Sequence, residues 1–133
     1  MKLNEILLEC LGIPFENKGN ILIINSNGKE INVDCEIPTT PEEQSQGLMY
    51  RDELGENNGM FYDYVDNGFW MDNVEIPLEL IFINDNEISE IRKGRPFDRT
   101  NISPVLPADS NLEVNQGFCK NNDIKVGDKI YKS

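Results

Sequence analysis

The sequence predicts a mainly β, α+β domain: a small, single-domain, partly open barrel-like sheet with one or two short helices. Three observations predict it. Ile31, Val33, Cys35 and Ile37 alternate with Asn32, Asp34 and Glu36, the period of a strand with one buried face. Leu78 to Ile83 is apolar except for Glu79, the pattern of a central strand covered on both sides. Turn signals such as Asn27-Gly28 and Asn84-Asp85-Asn86 break the chain at short intervals, and every helical pattern is brief. A sheet of this size must bury one face, which favours curling towards a barrel.

Taken in order, Leu3, Ile6, Leu7, Cys10 and Leu11 fall at helical spacing with Asn4 as a cap, and Gly12 and Pro14 end the pattern. Ile21 to Ile24 and the alternating run to Ile37 form a hairpin over 21–37 around Asn25-Ser26-Asn27-Gly28. Thr40-Pro41-Glu42-Glu43 starts a helix over 41–48: Thr40 caps, Pro41 takes the first position, and Glu43 completes a capping box. Strands follow near 59–64 and 112–115, with Phe69-Trp70-Met71 starting another extended piece. A second hairpin covers 78–92. Residues 100–110, with Pro104 and Pro107, form a long irregular connection. Gln116 to Lys120 suit one helical turn, and Gly127-Asp128 turn into a last strand over 128–131. Leu78, Leu80 to Ile83, Ile31, Val33, Ile37, Leu48, Met60 and Val114 are the expected core. Residues 1–28 read as an N-terminal extension and 29–133 as the domain proper.

Composition excludes several functions. The 133-residue chain carries 24 acids against 12 bases, a net charge of −12, so its surface repels phosphate and nucleic acid is not an expected partner. There is no His, which removes a Ser-His-Asp or Cys-His site and the commonest zinc ligand. Cys10, Cys35 and Cys119 are widely spaced and make no CxxC, so free thiols, no disulfide, no metal and no cofactor are expected. No apolar run is long enough to span a membrane, and the N-terminus is a poor signal peptide. A cytoplasmic monomer without membrane contact is the resulting expectation. Asp52 to Ile91 is rich in acids and has only Arg51 before it and Arg92 after it as flanking bases; a calcium loop begun at Asp63 would put Val65 and Val74 where oxygen ligands belong. Arg92, Lys93, Arg95 and Arg99 read either as an anion-binding loop or as solvated charge that offsets the acidic stretch.

Gly47-Leu48-Met49-Tyr50-Arg51, Gly59-Met60-Phe61, Phe69-Trp70-Met71, Ile76-Pro77-Leu78, Phe82-Ile83, Leu112-Glu113-Val114-Asn115 with Gly117, and Val126-Gly127-Asp128 occur in an order that resembles the family catalogued as domain of unknown function 192. The resemblance covers about residues 30–131. It departs at Val74, where the family usually has Thr, at Glu79 in place of Asp, and at Asn86 where a turn Gly is common. It implies a β-rich single domain and no particular reaction.

The polar residues on these motifs are Arg51, Asn73, Glu79 and Glu113, with Trp70 beside them. They admit a structural account, in which Arg51 neutralises a buried acid, Glu113 or Glu79, and Trp70 fills space. They also admit a ligand site, in which Trp70 forms an aromatic wall and Glu113 fixes the Arg51 guanidinium. The leading reading is a non-enzymatic module that binds a small ligand or a protein partner. The alternative is a small hydrolytic enzyme using Glu79 and Glu113 as acid and base.

Overall fold

The computed structural model describes residues 12–133; the expected helix over Leu3 to Leu11 lies outside them. Strand accounts for 38% of the described residues and helix for 8%, so the protein is mainly β. Seven strands form one sheet: β1 (Lys18–Ile24), β2 (Glu30–Glu36), β3 (Asn58–Tyr62), β4 (Leu78–Asn84), β5 (Glu87–Gly94), β6 (Ser110–Asn115) and β7 (Lys129–Lys132). Two short helices interrupt them, α1 (Pro41–Gln46) and α2 (Phe118–Asn121).

The strands run in the order β1-β2-β3-β6-β4-β5-β7, and β7 pairs back to β1. The sheet is thus a ring, where the sequence suggested a partly open barrel. Its closure is uneven. β1 and β7 share four residue pairs, whereas β5 and β7 share one, Glu87 with Lys129, flanked by hydrogen bonds from the Ile88 amide to the Asp128 carbonyl, from the Gly127 amide to the Ile88 carbonyl and from the Ile130 amide to the Asn86 carbonyl. β1, assigned from sequence to an N-terminal extension, is hydrogen-bonded into the ring between β2 and β7. β2 and β3 are parallel, so the chain must cross over between them, and α1 lies on that crossover.

Local chemistry explains the elements. Thr40 Oγ1 accepts from the Glu43 amide at 3.1 Å, and Glu43 Oε1 accepts from the Thr39 and Thr40 amides, the capping box read from sequence. The turn from β4 to β5 places Asp85 and Asn86 at φ 51° and 61°. Two successive left-handed residues make the type I′ geometry that matches strand twist, and Asn and Asp tolerate it. The strand expected over 59–64 ends at Tyr62. Phe69 makes only an isolated bridge to Ile102, because the segment after Tyr62 lies over the outside of the sheet.

Every expected core residue is buried, but in two layers. The inner layer draws on all seven strands, with Ile21, Val33, Phe61, Ile81, Ile88, Leu112 and Ile130 filling the ring and Phe118 of α2 packing against them. The outer layer covers one side of β3, β4 and β6. There Leu78, Leu80 and Phe82 meet Met60, Tyr62, Phe69, Met71 and Ile102. β4 serves both layers by simple alternation.

Phe82 is fully buried and packs its ring 6.0 Å from that of Phe69. Phe82→Ala should destabilise the domain by about 3–5 kcal/mol. Urea melts check this, and a loss below about 1 kcal/mol would contradict the packing of the outer layer.

Candidate functional site

Two hollows flank the outer layer, and the sequence-predicted residues are divided between them. In the first, Glu113 stands opposite Met60 of β3 and Leu80 of β4, both outer-layer residues, so its side chain is carried to the outside of the ring. It enters a cavity of about 330 Å³ walled by the end of α1 and the segment from Tyr62 to Trp70. That volume lies at the small end of ligand sites.

Aromatic rings dominate this cavity. Tyr62 packs edge-on against Tyr64 at 5.8 Å and against Phe69 at 4.9 Å. Trp70 completes the lining and is 44% exposed, so it stands at the mouth instead of plugging the core. Gly47 is required by close approach: at φ 49° its backbone is left-handed, and a Cβ there would collide with the Tyr62 hydroxyl at 2.3 Å.

Two polar side chains of this cavity stand out. Glu113 is 5% exposed and its carboxyl hydrogen-bonds to no described residue; burial pushes that carboxyl up to about 8. Gln46 Nε2 is a buried donor without a described partner. Buried polar atoms are normally paired, so the orphaned Gln46 donor in this cavity is unusual.

The second hollow, about 1200 Å³, is lined by Arg51, Asn73, Tyr50, Glu75 and Asp34 among others. The guanidinium here is fixed by Glu36, not by Glu113 or Glu79. Arg51 Nη1 donates to Glu36 Oε2 at 2.6 Å, and Nη2 donates to Oε1 at 2.9 Å. Nη2 also reaches the Ile13 carbonyl at 3.5 Å, and the guanidinium lies 5.1 Å over the Phe15 ring. The Phe15 amide donates to Glu36 Oε1. Burial raises the Glu36 carboxyl, but the Arg51 guanidinium and the Phe15 amide outweigh it and hold it below the usual range. Arg51 thus ties residues 13–15 to β2. The alternation that puts Glu36 on the polar face of β2 was the available signal, and it was missed because Glu113 and Glu79 lie on stronger motifs.

Glu79 belongs to neither hollow. It pairs with Val114 on β6, one position out of step with Glu113, so the two carboxylates face opposite sides of the sheet. Its oxygens accept from the Gly117 and Cys119 amides at 3.1 and 3.0 Å, capping the start of α2. Asn73 adopts φ 57°, and its carbonyl accepts from the Tyr50 amide at 2.9 Å. The basic stretch is dispersed: Arg92 donates to Glu90 and the Ser103 carbonyl, and Arg99 pairs with Asp72 while lying 5.8 Å from the Trp70 ring. Burial pushes the Cys35 thiol up to about 12 and raises Cys119 further, so both are inert thiols at neutral pH. No three His, Cys, Asp or Glu side chains converge among the described residues, and no described helix is long and apolar enough to cross a membrane.

Fold and cavity define a small β-ring domain with an aromatic side pocket. The chain belongs to the family described as Uncharacterized ACR, domain of unknown function 192, whose model matches residues 22–131. Its structure is similar to that of a Sinorhizobium meliloti protein described as a candidate transcription regulator, with TM-score 0.81 and 27% identity over 90% of this chain and 96% of that one. It is also similar to a Novosphingobium aromaticivorans protein of unknown function, with TM-score 0.76 and 32% identity over 84% and 83%. No curated protein matches the chain.

Removing one partner of a buried ion pair strands the other charge. Arg51→Ala should therefore cost about 3–5 kcal/mol in urea melts; near-neutral stability would show that the pair with Glu36 contributes little. Glu113 gives a second test. Its folded carboxyl holds a proton to about 8, whereas the ordinary value is 4.5. Between those values the folded state binds the extra proton, so stability falls as pH rises, by up to about 1.4 kcal/mol per pH unit. Glu113→Gln should flatten that slope and stabilise the domain at about pH 8. Identical pH dependence in both proteins would contradict the assignment.

Proposed function

We propose that this domain is a non-enzymatic small-molecule-binding module whose site is the aromatic pocket at Glu113. One observation carries the reading: a buried carboxyl group with no described hydrogen-bond partner faces a cavity lined by Tyr62, Tyr64, Phe69 and Trp70. An apolar pocket with a few convergent polar groups suits a small organic ligand, whose own polar atoms would supply the missing partners.

The alternative of an acid–base hydrolase draws no support from the carboxylates. Glu79 and Glu113 face opposite sides of the sheet, so they cannot flank one substrate bond. The description of the Sinorhizobium meliloti protein as a candidate regulator is compatible with ligand sensing. Direct phosphate contact is disfavoured by the net charge of −12.

Trp70 is the only tryptophan, so its emission reports on the pocket mouth alone. A screen of small organic compounds should yield saturable changes in Trp70 fluorescence. Glu113→Gln or Tyr64→Leu should weaken the hits by about tenfold or more. A broad screen without any response would overturn the assignment of this pocket.

A further inference from the structure

The pocket's chemistry restricts its ligand further. Its lining includes Glu113 and no Lys, Arg or Asp, so the carboxylate has no compensating cation within the cavity. Four aromatic side chains share that lining. Ring faces carry negative electrostatic potential and attract cations, most strongly where water is excluded. The protein as a whole adds a net charge of −12, which raises the local concentration of cations over anions. The Arg99 guanidinium already lies 5.8 Å from the Trp70 ring, yet Arg99 does not line the pocket and is paired to Asp72.

Resting on the reading of this pocket as a ligand site, we infer that its ligand is a small organic cation, a substituted amine or quaternary ammonium, held against the aromatic rings by the Glu113 carboxylate. The buried Gln46 Nε2 donor adds one condition. It is satisfied by an oxygen acceptor on the ligand, such as a hydroxyl or carbonyl a few bonds from the nitrogen. A quaternary ammonium with a hydroxyl side arm meets both requirements. A neutral or anionic ligand would leave the negative ring faces without their natural counterpart.

Proton release accompanies such binding. Without ligand, the buried Glu113 keeps its proton to about 8; a cation beside it favours the ionised form. The neighbouring elements do not obscure this titration. β3 contributes Tyr62 and the following segment Tyr64, both held above the ordinary tyrosine value, first by burial. Asp63 and Asp66 act on Tyr64 from outside the pocket, and the Arg51–Glu36 pair acts at longer range through Tyr62. β4 offers only Leu80 opposite Glu113, and α1 offers the uncharged Gln46.

The test uses the intact chain, choline chloride, and the uncharged analogue in which a tert-butyl group replaces the trimethylammonium. Trp70 fluorescence titrations should show saturable choline binding at least about tenfold tighter than the analogue. Because choline's charge does not vary with pH, its affinity should strengthen by up to about tenfold per pH unit from about pH 6 and level off above about pH 8. Glu113→Gln should abolish that dependence, and Tyr64→Leu should weaken binding without removing it. Equal affinity for the analogue, or no pH dependence in the unaltered protein, would overturn the cation assignment while leaving the pocket as a ligand site. Absence of any choline response overturns it as well; only a silent broad screen overturns the pocket itself.

Discussion

The structure depends on β4 being buried on both faces. A strand whose side chains from Leu78 to Ile83 all avoid water obliges the chain to build apolar material on two sides. The ring interior covers Ile81 and Ile83. The segment from Tyr62 to Ile76, with Ile102, covers Leu78, Leu80 and Phe82. That second cover is irregular backbone, so it cannot close as tightly as a strand layer, and the aromatic pocket lies where it meets the end of α1. The cavity is thus a by-product of covering a sheet with a loop, and Leu48, Tyr62 and Phe69 both line it and belong to the cluster that buries Phe82.

Strand parity decides what each acid does. Glu79 and Glu113 have the same functional group and stand on neighbouring strands, one register position apart. Glu79 falls on the ring's inner side, at its end, where two amides at the start of α2 take both its oxygens. Glu113 falls on the outer side, among aromatic rings, with no described donor hydrogen-bonded to its carboxyl. One carboxylate is therefore structural and the other is left with unspent hydrogen-bonding capacity. A one-residue slip of β6 would exchange the faces.

Most of the fold was legible because its signals are local. The hairpin over 21–37, the capping box at Thr40 and Glu43, and the turn at Asp85-Asn86 each depend on residues a few positions apart. The core list held because Leu80, Phe82 and their neighbours are buried whichever layer they join. Register between distant strands was not legible. No local pattern pairs Arg51 with Glu36, and none states that Glu79 and Glu113 point apart. The candidate residues consequently scattered: Trp70 and Glu113 line one hollow, Arg51 and Asn73 another, and Glu79 neither. Gln46 went unnoticed because a polar residue near a helix end is normally solvated.

The narrow seam between β5 and β7 bears on how the molecule assembles. β1 finds one neighbour in β2 almost at once, but its other neighbour is β7, the last strand of the chain. Contacts between such distant segments carry a large loop-closure entropy and form late. During synthesis the outer edge of β1 stays unpaired until residues 129–132 leave the ribosome, and an open edge is a template for association with other chains. The seam to β5 is short, the Glu87–Lys129 pair and three flanking backbone hydrogen bonds, so it holds the ring less firmly than the longer ladders do. Amide exchange and slow opening of the native state should therefore begin at this seam, and the C-terminal strand acts as the latch that turns a curved sheet into a closed one.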